Sequence, residues 1–79
     1  MQDLREEILT AFESHARGHI DKHKMNVEVY LAHPVGVGEH PDIMEAIEKE
    51  MEEIARYDDM LEMVTKYFCL LYTSDAADE

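Results

Sequence analysis

His15, His19 and His23 stand four residues apart, a spacing that on a helix stacks three imidazoles up one side. Imidazole binds divalent metals and exchanges protons near neutral pH. His15 and His19, joined by Asp58 as an oxygen ligand, make a candidate site for zinc or a similar metal. The same residues admit a plainer reading, in which the histidines hydrogen-bond to buried acids and His15 meets Asp58 or Asp59. No Glu-x-x-His pattern, second ligand pair or neighbouring cysteine decides between them, so the metal and the structural reading both stay open.

A second cluster surrounds Gly36-Val37-Gly38, which His33 and His40 bracket. Glycines ahead of a helix N-terminus let backbone amides approach an anion, and the helix dipole favours negative charge there. The motif lacks the third glycine of a dinucleotide fingerprint and the Gly-Lys-Ser/Thr of a phosphate loop, so a glycine-assisted helix-to-helix turn is the competing reading. The basic stretch from His15 to Lys24 is the one part of the chain that would welcome a small anion. If a neighbouring copy brings Arg17, Lys24, Asn26 and Tyr30 toward Gly36, Gly38 and His40, together they would line a pocket for a nucleotide-type anion. No Ser/His/Asp or Cys/His set is visible, so neither an enzyme nor a cofactor is expected.

Two helical patterns must position these residues. Ile8, Leu9, Phe12, Ala16, Ile20, Val27, Tyr30 and Leu31 fall within an arc of about 140° at helical spacing, which predicts a helix from about residue 3 to 32 with that face buried. His33-Pro34 should end it, because the residue before proline avoids the α region and proline has no N–H to donate. Pro41 suits the first turn of a second helix, where Asp42 and Glu45 complement the positive end of the dipole. Ile43, Ile47, Met51, Ile54, Leu61, Val64 and Phe68 give that helix its apolar stripe, with Asp58 interrupting it. Folding the chain at the glycine loop pairs residues whose numbers add to about 73, setting Phe12 near Leu61, Leu9 near Val64 and Val27 near Ile47.

Leu4, Ala11, Gly18, Met25 and Val29 line the opposite side of the first helix. Glycine in a helix interior costs about 1 kcal/mol against alanine, so Gly18 is either tolerated or kept to let another helix approach closely. Burying both faces of one helix requires a partner outside the hairpin. The expected architecture is therefore all-α, an antiparallel two-helix hairpin spanning residues 3–68 that assembles into a homo-oligomeric helical bundle.

The balance of 7 Lys and Arg against 19 Asp and Glu, a net charge of −12, opposes binding to a DNA or RNA polymer. The acids concentrate after residue 35, where a Glu-rich face of the second helix is either a solvated surface with i,i+4 pairs or a docking face for a basic host protein. The sole cysteine, Cys69, leaves no disulfide framework. No apolar run reaches the roughly 18 residues that would cross a bilayer, and residues 1–7 lack the basic start and apolar middle of a signal peptide, so a cytoplasmic setting without membrane contact is expected. Residues 69–79, Cys-Leu-Leu-Tyr-Thr-Ser-Asp-Ala-Ala-Asp-Glu, read back into codons as the adapter of a transposase-based sequencing library. They are expected to be an artefactual tail, with the natural protein last visible at Phe68.

The run from Gly18 to Leu31, followed by Val35-Gly36-Val37-Gly38-Glu39-His40 and by Glu53-Ile54-Ala55-Arg56-Tyr57-Asp58-Asp59, resembles a small uncharacterised family carried by marine tailed phages that infect cyanobacteria. The resemblance covers nearly all of residues 3–68. It brings no activity and no catalytic residue, but it implies a viral origin and an infected host cell as the setting. The expected function is a small oligomeric phage-type binding protein that sequesters an anionic nucleotide signal of host immunity. The alternatives are an acidic adaptor binding a host protein and a histidine-based metal-binding bundle.

Overall fold

A computed structural model describes residues 3–32 and 42–68. They form two helices, α1 from Leu4 to Ala32 and α2 from Ile43 to Phe68, packed against each other as a hairpin. His33, Pro34, Gly36, Gly38, His40, Pro41 and the tail 69–79 lie outside the described residues.

Each helix begins on an aspartate. Asp3 accepts the Arg5 amide on Oδ1 at 3.4 Å, answering a first-turn N–H that has no partner within the helix, and the Glu7 amide on its carbonyl at 3.0 Å as the first backbone bond of the helix. Asp42 does the same for α2, taking the Glu45 amide on Oδ1 at 2.9 Å and the Ala46 amide on its carbonyl at 3.2 Å. With Glu45 three residues on, Asp42 has the spacing of a capping box. The expected start near residue 41 therefore moves: Asp42 stands before the helix as its cap, and the first turn opens at Ile43.

Two cross-helix bonds set the register. Arg5 donates from Nη2 to the Phe68 carbonyl at 3.4 Å, and His23 Nδ1 meets Glu50 Oε1 at 2.6 Å. Position rises along α1 as it falls along α2, so the helices are antiparallel, and both pairs lie on the expected register near 73. In that register Ala16 lies opposite Tyr57 and Val27 opposite Ala46, and these four are the buried residues among those described. Each pair sets a small side chain against a larger one, which lets the helices approach closely without leaving a void.

The buried strip is narrower than the expected faces. Ile8 is 58% exposed and Leu31 61%, although both belong to the α1 arc; on α2, Met51 and Phe68 are likewise exposed. One neighbouring helix covers only the few rows of side chains that point at it, and an arc of about 140° extends past that contact on both sides. Conversely, Ala46 and Tyr57 were absent from the expected stripe. Tyr57 sits three residues after Ile54 and four before Leu61, so helical spacing alone could have identified it. Asp58 does not interrupt the buried stripe; it is exposed, and its neighbour Tyr57 holds the inward position. Among the described residues no helix is long and apolar enough to cross a membrane.

Candidate functional site

The three histidines of α1 do climb one side, and Tyr57 of α2 meets the first two. The His15 and His19 rings lie 4.6 Å apart edge to face, and the His19 imidazole stacks on the Tyr57 ring at 4.5 Å with 9° between planes. His15 also meets Tyr57 edge-on at 6.1 Å. Such offset or edge contacts suit rings whose faces are negative and whose edges are positive. The Arg56 guanidinium carbon lies 4.7 Å from the centre of the same tyrosine ring, within cation–π range. Arg56 is fixed there by Glu53 at 3.0 Å, a contact that holds its guanidinium above the usual arginine range.

His23 turns inward. Its Nδ1 and the Asn26 amide, at 3.0 Å, both hold Glu50 Oε1 in a part-buried contact across the two helices. Burial pushes the Glu50 carboxyl up, but the hydrogen bonds from His23 and Asn26, aided by the fields of His23 and Lys22, outweigh it and bring Glu50 below the ordinary carboxylate value. His19 is lowered as well: partial desolvation, then the positive fields of His15, Lys22, His23 and Arg56, bring it below 6.5. A neutral His19 at physiological pH follows, with one ring nitrogen donating and the other accepting.

The expected contact of His15 with Asp58 or Asp59 does not form; both acids are exposed and no hydrogen bond joins them to a histidine among the described residues. The acid that a histidine selects is Glu50, on the opposite side of Tyr57 in the sequence. Asp58 points away because one residue of helix turns a side chain by about 100°, and Tyr57 already takes the inward direction. Among the described residues no group of three or more His, Cys, Asp or Glu is placed to hold a metal ion, so His15, His19 and Asp58 are not brought together.

The residues expected at an anion pocket divide. Arg17 and Lys24 are exposed, while Asn26 and Tyr30 are half-buried. At about 100° per residue Arg17 and Lys24 lie on the opposite flank of α1 from Asn26 and Tyr30, so one copy does not converge the four. Asn26 is already bonded to Glu50. Gly36, Gly38 and His40 fall outside the described residues. A cationic residue not singled out for the pocket, Lys22, does converge: with His15, Gly18 and His19 it lines an open cavity of about 280 Å³. Its four-residue spacing from Gly18 and three-residue spacing from His19 was the available signal.

No known protein family matches the chain, and no curated protein or solved structure matches it.

Proposed function

We propose that this chain is the subunit of a small phage-type oligomer that binds an anionic, nucleotide-type ligand in the infected host cell. The observation that carries the reading is the apolar surface a lone hairpin leaves uncovered. Leu4, Ile8, Met25, Leu31 and Met44 are each more than half exposed, and among the described residues no large side chain is fully buried. A core this thin is stabilised by association. The class of ligand follows from Arg17 and Lys24, both exposed on one flank of α1, where they can meet the Gly36–Gly38 segment of a neighbouring copy.

A second reading has its own support. Glu45, Glu48, Glu52, Asp58, Asp59 and Glu62 of α2 are all exposed, a surface suited to a basic host protein.

Light scattering and thermal melting of the full chain with cyclic nucleotides, mononucleotides and inorganic phosphate separate the two. The expected result is a species larger than the monomer whose melting temperature rises with a phosphate-bearing nucleotide, since binding the folded state stabilises it. Lys24→Ala or Arg17→Ala should weaken capture by about tenfold to a hundredfold, the value of a charge-assisted hydrogen bond. If no nucleotide raises the melting temperature at millimolar concentration, ligand capture is overturned and the adaptor reading replaces it. A chain that stays monomeric at high micromolar concentration overturns the assembly.

A further inference from the structure

We propose that α1 docks antiparallel on α1 of a second copy, through a stripe that runs the whole helix on the side away from α2. Leu4, Ala11, Gly18, Met25 and Ala32 recur every seven residues, and Ile8, His15, Lys22 and Val29 fill the alternate positions. All nine are exposed. Their alternating spacing of four and three is that of a coiled-coil seam, which keeps one face toward a partner helix. The inference rests on the assembly reading above and names the surface and its orientation.

Charge and shape both select a second copy as the occupant. Two molecules with a net charge of −12 repel unless they meet where acids are absent, and none of the nine seam residues is acidic. The stripe is also complementary to itself under a two-fold axis, as an isologous contact requires. In the antiparallel register that sets Leu4 against Val29 and Ile8 against Met25, His15 falls on Gly18 of the second copy and Lys22 on its Ala11. Each bulky polar side chain thereby faces a small one, and each large apolar side chain faces another. A Cβ built on Gly18 meets nothing within 4 Å, so room for the incoming imidazole exists. A parallel pairing instead stacks Lys22 on Lys22 and Gly18 on Gly18. Shifting the antiparallel pairing by one heptad sets His15 against Met25 and leaves Leu4 alone.

Glu7 and Glu28 lie on the rim of the seam, where acids from the two copies approach, so added salt should tighten the dimer by screening them.

Cysteine cross-linking in the full chain, with Cys69→Ser as background, tests the arrangement. A mixture of Ile8→Cys and Met25→Cys should form a disulfide-linked dimer under mild oxidation, while neither variant alone should, because position 8 then lies about 25 Å along the helix from its own counterpart. Gly18→Leu should weaken dimerisation at least about tenfold, by filling the space His15 needs, while helicity by circular dichroism is retained. Cross-linking of Ile8→Cys with itself overturns the antiparallel arrangement. An oligomer by light scattering that gives no cross-link in the mixture, or one indifferent to Gly18→Leu, overturns this seam and leaves the assembly reading standing. A monomer at every concentration overturns both.

Discussion

His23 and Glu50 join the two helices through a 2.6 Å contact between Nδ1 and Oε1, and Asn26 donates to the same oxygen at 3.0 Å. With side chains 13% and 16% exposed, the pair is the most shielded polar contact between α1 and α2. It ties the register at the half of the hairpin nearer Ala32 and Ile43, and the Arg5 to Phe68 bond ties the other.

Removing the acid should therefore cost more than a surface charge would. Glu50→Ala leaves two donors without their partner, and a loss of about 1–3 kcal/mol is expected from the denaturant midpoint. Because the folded state holds Glu50 below its ordinary value of 4.5, it binds the proton less readily than the unfolded chain. The stability Glu50 contributes is present above that ordinary value and is lost as pH falls through the lower folded one. Glu50→Gln should be less stable than the parent at neutral pH and should show a smaller further loss on acidification below about pH 4.5.

His19 titrates higher, with the same sign. Its lowered folded value means that acid favours the unfolded chain, so its contribution is full above the ordinary value of 6.5 and falls below it. The melting temperature should decline between pH 7.5 and 5.5, and His19→Gln should reduce that decline. An equal slope in both proteins would remove His19 as its source.

Tyr57 is 9% exposed and carries the rings of His15 and His19 as well as Arg56. Truncation to alanine should cost about 3 kcal/mol or more, as for other buried aromatic side chains. Tyr57→Phe keeps the ring and loses only a 3.4 Å contact from Arg56, so a change of about 0.5 kcal/mol or less is expected in the same denaturation experiment.

Ala16 and Gly18 are two residues apart and should answer enlargement oppositely. Ala16 is fully buried, and Ala16→Leu should destabilise by about 1–3 kcal/mol by forcing the helices apart. Gly18 faces open space, and Gly18→Ala should raise hairpin stability by up to about 1 kcal/mol through helix propensity, measured in protein dilute enough to be monomeric.

The extents of α1 and α2, their antiparallel sense and their register are legible in the amino-acid sequence alone. Apolar residues recur at helical spacing, and the His23 to Glu50 and Arg5 to Phe68 bonds lie in the register that spacing implies. Which histidine finds an acid, and which acid, is not legible there: Glu50 looks like one of many solvated glutamates, and only the rotation of α2 about its own axis turns it inward while Asp58 faces water. The same rotation buries Tyr57 and leaves Met51 exposed. Periodicity gives the direction of a face but not the width that a neighbour covers, so Ile8 and Leu31 read as core although the residues of α1 that are buried are Ala16 and Val27. Arg17 and Lys24 likewise sit close to Asn26 along the chain and lie across the helix from it, because a helix separates residues by angle more strongly than by sequence distance.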